Sequence, residues 1–274
     1  MTTRRRLDAE LVRRGLARSR HQALELIDAG RVLVGGAPAD KASRQVAAAE
    51  PVVVIGPPPP YVSRGGEKLK AALDAFPISP AGLRCLDAGA STGGFTDCLL
   101  QAGASEVVAV DVGHGQLDSR IRADARVEVF ERTNIRTASL GDIGGRPFPF
   151  VVADLSFISL RAVVGRLFGD LALPTAVGIL LVKPQFEAGR AEASAGKGVV
   201  RNPEVWRRVL GEVRSALQGV PATMMDAMVS PIRGAEGNVE FLVHVSAGAR
   251  PDLVPVADSK LDEVVAEAAG RTEG

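Results

Sequence analysis

Four charged side chains, two lysines and two acids, stand at positions where the sequence predicts that chemistry could occur. Asp154 ends a short apolar strand, and Lys183 ends another. In an open α/β sheet, ligands and reacting groups lie at the carboxyl ends of the strands. Lys68 falls on a predicted helix, and Glu240 falls on a predicted late strand after a Gly-Asn turn. A lysine whose charged form is disfavoured by burial and by a neighbouring cation can accept a proton, so this set suits general base catalysis.

Each of these residues also has an ordinary explanation when it is taken alone. Lys68 could be a solvated helix residue, Asp154 a helix cap, and Glu240 an exposed position on an edge strand. In the order Lys-Asp-Lys-Glu, however, the set resembles the catalytic tetrad of FtsJ-like 2′-O-methyltransferases. The resemblance implies a ribose 2′-hydroxyl as the target, with Lys183 as the base and Asp154 orienting it. Lys68 and Glu240 would hold the ribose and tune the other pair.

A turn of small residues lies between an apolar strand and a helix at residues 85–95, where the sequence is Cys-Leu-Asp-Ala-Gly-Ala-Ser-Thr-Gly-Gly-Phe. Glycines in such a turn let a ligand approach the backbone closely. The next strand ends at Asp111, and a carboxylate about 20 residues after the turn is placed to bind ribose hydroxyls. A tight turn without any ligand is the alternative.

The spacing of these glycines, G-x-x-x-G-G, differs from the dinucleotide pattern G-x-G-x-x-G. It resembles the first motif of S-adenosylmethionine methyltransferases, which implies S-adenosylmethionine as the cofactor. The predicted cofactor-binding residues are Asp87, Gly89, Ser91, Gly93, Gly94, Phe95, Asp111 and Asn134.

Two absences favour an oxygen as the methyl acceptor. Amine-directed base methyltransferases carry Asn- or Asp-Pro-Pro followed by Tyr or Phe, where this chain has Asp-Leu-Ser-Phe at 154–157. Carbon-directed cytosine enzymes need a nucleophilic cysteine, and neither Cys85 nor Cys98 stands in a suitable motif. We expect both cysteines to be small buried hydrophobic residues.

The residues before position 57 predict a compact unit with an anionic partner. Two helices are expected, one ended by Gly15 and one that begins at a Ser19–Gln22 capping box and ends at Gly30, with short strands at 31–34 and 52–55. Residues 1–70 hold 13 Lys or Arg against 7 Asp or Glu, whereas the whole chain has a net charge of +1. A solvated basic surface would explain this charge equally well.

The segments at 6–8, 14–20 and 29–32 resemble the alpha-L RNA-binding module that is named after protein four of the small ribosomal subunit. This resemblance implies contact with a folded RNA backbone by shape and charge. The predicted RNA-binding residues are Arg4, Arg6, Arg18, Arg20, Lys41 and Arg64.

Strands that alternate with helices after a run of four prolines predict an α/β fold. The expected architecture is a Rossmann-like class I methyltransferase, with a mostly parallel seven-stranded sheet and helices on both faces, plus a small N-terminal α+β RNA-binding domain. The predicted boundaries are 1–56 for the RNA-binding domain, 57–63 for a proline-rich linker, 64–250 for the methyltransferase domain and 251–274 for a C-terminal tail and helix.

Taken together, these motifs resemble the TlyA, or hemolysin A, family from about residue 4 to residue 245. The resemblance implies 2′-O-methylation of cytidines in 16S and 23S ribosomal RNA within ribosomal subunits, and through it sensitivity to capreomycin-type antibiotics. Neither a membrane nor a metal ion is expected as a partner, because no apolar run could cross a bilayer and two cysteines are too few for a metal site. The lack of an export signal favours the cytoplasm.

Three alternatives remain open at this point. The hemolysin label suggests a membrane-active protein. The chain could also be an RNA-binding ribosome-assembly factor with an inactive methyltransferase domain, or an enzyme that methylates a base.

Overall fold

The computed structural model describes residues 4–17, 20–57, 59–189, 192, 198–248 and 253–271. The chain forms two compact units, residues 1–59 and residues 60–274. In the part of the chain that is described, no helix is both long enough and apolar enough to cross a membrane.

The first unit contains two short helices packed over short antiparallel strands. Leu7, Leu11 and Ile27 of the helices are buried with Val32 and Val46 of the strands. The helices and strands are β1 (Arg4–Arg6), α1 (Leu7–Arg13), α2 (Arg20–Asp28), β2 (Val32–Val34), β3 (Ala37–Pro38), β4 (Gln45–Ala47) and β5 (Val52–Val54). β2 pairs with β3 and β5, and β1 pairs with β4.

Both predicted helices of this unit are present. Gly15 and Gly30 follow them with φ angles of +69° and +66°, the left-handed conformation that glycine adopts most readily. Ser19, the predicted cap of the second helix, lies outside the described residues. The pairing of β1 with β4 was not predicted, because three consecutive arginines show no alternation of apolar and polar residues.

The second unit is built on a sheet that has seven strands within the described residues, in the order β11-β12-β10-β9-β6-β7-β8. β12 runs antiparallel to β10 and β11, and the other neighbours are parallel. The strands are β6 (Arg84–Ala88), β7 (Glu106–Val110), β8 (Val127–Phe130), β9 (Phe148–Ala153), β10 (Ala172–Val182), β11 (Ala222–Val229) and β12 (Phe241–Ala247).

Helices cover both faces of this sheet. α3 and α4 pack on the face that buries Cys85 and Phe150, and α7 and α8 pack on the face that buries Leu86. The helices are α3 (Arg64–Ala75), α4 (Gly94–Gln101), α5 (Ser119–Ala123), α6 (Pro184–Glu187), α7 (Pro203–Gln218) and α8 (Asp258–Gly270), with 3₁₀ turns at Leu140–Asp142, Leu160–Ala162 and Ala235–Gly237 and a π-type helix at Gly165–Leu171. The predicted fold class is confirmed.

Two segments that the sequence analysis placed outside the catalytic domain contribute to its core. Tyr61 and Val62, assigned to the linker, are each 8% exposed, and the Val62 amide donates to Asp97 on α4 at 2.8 Å. Helix α8, assigned to a C-terminal tail, buries Leu261 and Val264 against the sheet. Short apolar segments beside prolines and charged residues show too little periodicity to reveal this packing.

The arrangement of the strands explains where the charged residues of interest meet. Asp111, Asp154 and Lys183 each follow the last residue of a parallel strand, so they lie along one edge of the sheet. β12 is antiparallel, and its first residue Phe241 pairs with Val182 at the end of β10. Glu240 therefore joins the same edge from the start of a strand. It precedes β12 and is not on the strand as predicted.

Candidate active site

The two predicted lysines each contact a predicted acid. Lys183 Nζ lies 2.6 Å from Asp154 Oδ1 and also donates to Ser156 Oγ at 2.9 Å. Lys68 Nζ lies 2.5 Å from Glu240 Oε2. Lys183 and Asp154 both act electrostatically on the Glu240 carboxyl, so the two pairs are neighbours. The structure thus brings together four residues that lie between positions 68 and 240.

The two pairs differ in burial. Lys68 and Glu240 are 8% and 3% exposed, and burial raises the pKa of the Glu240 carboxyl above its usual value although Lys68 opposes this shift. Asp154 keeps 23% of its side chain exposed and lines a cavity. Asp154 therefore connects the Lys183–Asp154 pair to the cavity, and the buried pair lies beside it.

A glycine makes room for the Glu240 carboxylate. A Cβ atom on Gly234 would lie 2.0 Å from Glu240 Oε1, much closer than real contacts allow. The Gly234 amide donates to the Asn238 carbonyl at 2.8 Å, and the Asn238 side chain accepts from the Val200 amide at 3.1 Å. These hydrogen bonds hold the turn that leads into Glu240.

A cavity of about 560 Å³ opens at the carboxyl ends of β6, β7 and β9. Asp111 at its wall accepts hydrogen bonds from the Ser91 amide at 2.8 Å and the Gly113 amide at 2.6 Å. Val112 and Phe157 line the same cavity and are 69% and 91% exposed. Four predicted cofactor-binding residues are among those that line it, namely Gly89, Ser91, Asp111 and Asn134. Apolar walls with a few polar groups are typical of small-molecule sites.

The other four predicted cofactor-binding residues are not among the cavity-lining residues and build the turn beside it. Asp87 is fully buried and accepts a hydrogen bond from Thr96 Oγ1 at 2.6 Å, and burial raises the pKa of its carboxyl to about 7. Phe95 is buried in the core. A Cβ on Gly93 would lie 2.9 Å from the Leu117 side chain, and one on Gly94 would lie 2.3 Å from Ser63 Oγ. These residues shape the backbone of the turn beside the cavity, and their part in cofactor binding stays a prediction.

The structure also places residues at this site that the sequence analysis did not select. Ser156 contacts Lys183, and Gln116 lines the cavity. Glu187, one helical turn after Lys183, is 2% exposed and accepts hydrogen bonds from the segment that follows the cavity wall. Charged and polar residues in loops are common, so nothing in their type or spacing distinguished Ser156, Gln116 and Glu187.

The cysteines take no part in the site. Cys85 and Cys98 are buried as free thiols, and burial raises the pKa of each to about 12. A thiol with such a pKa is a poor nucleophile, so the expectation of buried hydrophobic cysteines is confirmed.

Several of the predicted RNA-binding residues lie around the start of α1 in the first unit. Arg4 and Arg6 lie on the exposed strand β1. The buried carboxylate of Asp8 binds Arg6 Nε at 3.1 Å and Arg20 Nη2 at 2.6 Å. The Asp8 amide donates to the carbonyl of Ala42 at 3.3 Å, which brings the loop that carries Lys41 to the same place.

Two predicted RNA-binding residues lie elsewhere. Arg18 is outside the described residues. Arg64 begins helix α3 of the second unit, four residues before Lys68.

Comparison with known families identifies the second unit. The model of the family described as FtsJ-like methyltransferase matches residues 61–247, more than half of the chain. The chain belongs to this family. The S4 domain model matches residues 5–52, which agrees with the predicted N-terminal module. Membership confirms the predicted class and cofactor, a methyltransferase that uses S-adenosylmethionine.

Full-length relatives share both units of this FtsJ-like methyltransferase. The chain is 49% identical over 244 residues to the 16S/23S rRNA (cytidine-2′-O)-methyltransferase TlyA of Mycobacterium tuberculosis, covering 89% of this chain and 90% of that protein. It is 37% identical to Hemolysin A of Brachyspira hyodysenteriae, covering 87% and 98%. The resemblance to the TlyA, or hemolysin A, family is confirmed.

A solved structure shows the same likeness. A putative hemolysin from Streptococcus thermophilus is 36% identical and superposes with a TM-score of 0.79, covering 100% of this chain and 98% of that one. The fold that carries the site is therefore shared with a known protein over the whole chain.

Proposed function

We propose that this chain methylates the 2′-hydroxyl of a cytidine in ribosomal RNA. The observation that carries the proposal is the Lys183–Asp154 contact of 2.6 Å beside the cavity at the strand ends. S-adenosylmethionine supplies an electrophilic methyl group whose carbon–sulfur bond breaks as the carbon–oxygen bond forms. The protein has to orient the hydroxyl in line with that bond and remove its proton.

The residues of the site have separable roles in this proposal. Lys183 Nζ takes the proton of the 2′-hydroxyl, and Asp154 and Ser156 hold that nitrogen in place. The buried Lys68–Glu240 pair carries the positive charge of Lys68 close to the reacting oxygen, where it favours the developing alkoxide. Elsewhere in the cavity, Asp111 and Asn134 are placed to bind the sugar and base of the cofactor.

A cytidine in ribosomal RNA is the proposed acceptor because a relative that is 49% identical carries that activity in its name. The first unit supports an RNA partner, since its S4 domain presents Arg4, Arg6, Arg20 and Lys41 on exposed positions near the start of α1 or beside it. The exposed ring of Phe157 offers a surface on which a base could stack. Such a substrate lies in the cytoplasm, and its methylation would affect sensitivity to capreomycin-type antibiotics.

The test is incubation of unmethylated 30S and 50S subunits with labelled S-adenosylmethionine, followed by digestion of the RNA to nucleosides. We expect the label on 2′-O-methylcytidine. Label on a base would exclude the ribose target, and no label in either subunit or in free ribosomal RNA would favour an assembly factor without activity.

Two variants on one helix make this test specific to the site. Lys68→Ala removes the partner of Glu240 and should lower the rate at least 100-fold. Lys70→Ala removes an exposed lysine of the same helix that pairs with Asp74, and it should leave the rate within twofold.

A further inference from the structure

Glu187 is a buried carboxylate that, within the described residues, accepts its hydrogen bonds from the segment 159–161. Its Oε1 accepts from the Leu160 amide at 2.6 Å, and its Oε2 accepts from Ser159 Oγ at 2.5 Å. Arg161 Nε reaches Oε2 at 3.3 Å, and Arg161 Nη2 donates to the Glu187 carbonyl at 2.7 Å. Within the described residues, the hydrogen-bond partners of the carboxylate are donors, so it acts as an acceptor on both oxygens.

These contacts join the two loops that carry the reactive pair. Glu187 ends helix α6, which begins directly after Lys183. Ser159 and Leu160 directly follow the segment 154–158, which begins with Asp154 and lines the cavity. Glu187 is thus a bridge between the segment behind the base and the segment behind the acid.

The same two loops also contact each other at the proposed catalytic pair. There Lys183 contacts Asp154 and Ser156, and the rings of Phe157 and Phe186 lie 5.2 Å apart. The contacts of Lys183 with Asp154 are partly exposed to solvent, since Asp154 keeps 23% of its side chain exposed. The Glu187 bridge is buried, so it is the better protected of the two connections.

Burial of a carboxylate carries a desolvation cost that an apolar side chain would avoid. Glu187 offsets that cost with hydrogen bonds to two backbone-anchored donors, the Leu160 amide and Ser159. Such directional bonds fix the distance between two loops, whereas apolar packing allows them to slide. A displacement of about 1 Å in a reacting group can lower a rate about 100-fold.

We infer that Glu187 is a positioning residue that holds the Asp154–Ile158 wall against the Lys183 loop. It sets the geometry of the base and touches neither substrate nor cofactor. This inference rests on the proposed function for its kinetic consequence, but the contact between the loops can be measured without any reaction.

The first measurement is amide hydrogen exchange on the full chain without the methyl donor. Glu187→Ala should speed exchange at residues 155–162, including the Leu160 amide, at least 10-fold, and leave β6 and β7 unchanged. Glu212→Gln is the matched control, because Glu212 accepts from the same Arg161 at 2.6 Å on the surface. It should change exchange in this segment less than twofold.

The second measurement is steady-state kinetics on ribosomal subunits. Glu187→Ala should lower kcat about 30- to 100-fold and change KM for the RNA less than threefold, because Glu187 sets the geometry of the base without touching the RNA. Glu187→Gln keeps one acceptor for the Leu160 amide. Its decrease in log kcat should therefore be at most two thirds of the decrease seen in Glu187→Ala. A merely structural brace would lower the folded fraction and leave kcat per folded molecule unchanged.

The outcomes separate this inference from the proposed function. If Glu187→Ala exchanges like the unchanged protein at 155–162, or keeps kcat within threefold, the inference is overturned. If Glu187→Ala does not fold, Glu187→Gln and Ser159→Ala carry the same comparison. If the unchanged protein methylates no ribose, the proposed function fails, while the exchange measurement still decides whether Glu187 holds the wall.

Discussion

At the scale of single residues, burial separates the tasks of the two lysine–acid pairs. Asp154 lines an open cavity, and Lys183 contacts Asp154 at 2.6 Å beside it. Lys68 and Glu240 are almost fully buried. Removal of one partner of such a pair destabilises the protein, because the other charge is left buried and unpaired. In the proposed mechanism the Lys183–Asp154 pair therefore handles the proton of the hydroxyl group, and the buried pair supplies a fixed electrostatic field beside it.

Gly234 provides a test of how closely Glu240 must be placed. Gly234→Ala would force a Cβ to within 2.0 Å of the Glu240 carboxylate, so that carboxylate must move away from Lys68. We expect kcat to fall at least 10-fold with little change in melting temperature, because the φ angle of Gly234 is not in the left-handed region. Steady-state kinetics and thermal unfolding check this.

Gly169→Ala is the control for that change. Nothing lies within 4 Å of a Cβ at Gly169, and its φ angle is also outside the left-handed region. It should keep kcat within twofold. An unaltered kcat in Gly234→Ala would show that catalysis does not depend on the exact position of Glu240.

Asp8 provides a test of how the first unit presents its arginines. Asp8→Asn removes a charge that Arg6 and Arg20 share, so both guanidinium groups lose their fixed positions. We expect binding to ribosomal subunits to weaken about 3- to 10-fold at constant salt, although the change adds a positive charge. Filter binding measures this.

Asp28→Asn adds the same charge at an exposed position on α2 and serves as the control. It should bind equally well or slightly more tightly. Tighter binding by Asp8→Asn as well would mean that net charge, and not the placement of arginines, governs RNA affinity.

At the scale of secondary structure, the strand ends determine which residues can meet. Asp111, Asp154 and Lys183 were predictable because each ends an apolar run, and parallel strands end at one edge. Glu240 was chosen by its place in the family pattern, and its route to the site, the start of an antiparallel strand, was not predictable. Glu187 was missed because contacts between two loops have no period in the sequence.

Asp87 at the end of β6 gives a pH dependence of stability. Burial raises the pKa of its carboxyl to about 7, whereas an unfolded aspartate titrates near 3.9. The folded state therefore holds the proton more tightly, and the stability that Asp87 contributes is full below about pH 4 and is lost as the pH rises through about 7. The loss is on the order of 1.4 kcal/mol per pKa unit.

Asp87→Asn removes this titration and keeps an acceptor for Thr96. The free energy of unfolding of the variant, relative to the unchanged protein, should therefore rise between pH 4 and 7 and level off above 7. Urea unfolding across this range measures the difference. A difference that stays flat with pH would show that the buried Asp87 carboxyl does not titrate in this range.

Helix α8 was predicted as an appended element, and its packing makes it part of the fold. Leu261→Ala should lower the free energy of unfolding by about 2–5 kcal/mol, because Leu261 is fully buried against the sheet. Val254→Ala, at a residue that is 76% exposed, should change it by less than about 0.5 kcal/mol. Equal effects in urea unfolding would mean that α8 is a detachable tail.

At the scale of the whole molecule, the two units differ in their charge. The basic residues concentrate before position 70, and the later part of the chain has more acids than bases. The class of fold and the two units were predictable, since strand–helix alternation and a proline run are long-range features of the sequence. The boundaries between the units were less predictable, because Tyr61 and Val62 join the core through contacts with helices that are distant in the sequence.

The central claim is that Lys183, held in place by Asp154, removes a proton from a ribose 2′-hydroxyl, and the position of the methyl group tests it most directly. A phosphodiester next to a 2′-O-methyl group resists alkaline hydrolysis, so partial hydrolysis of ribosomal RNA from treated subunits reveals the modified nucleotide. The account predicts one or a few resistant cytidines after treatment with the unchanged protein or with Lys70→Ala, and none after Lys183→Ala. Resistant positions with Lys183→Ala at the full rate, or methylated RNA without any resistant position, would contradict it.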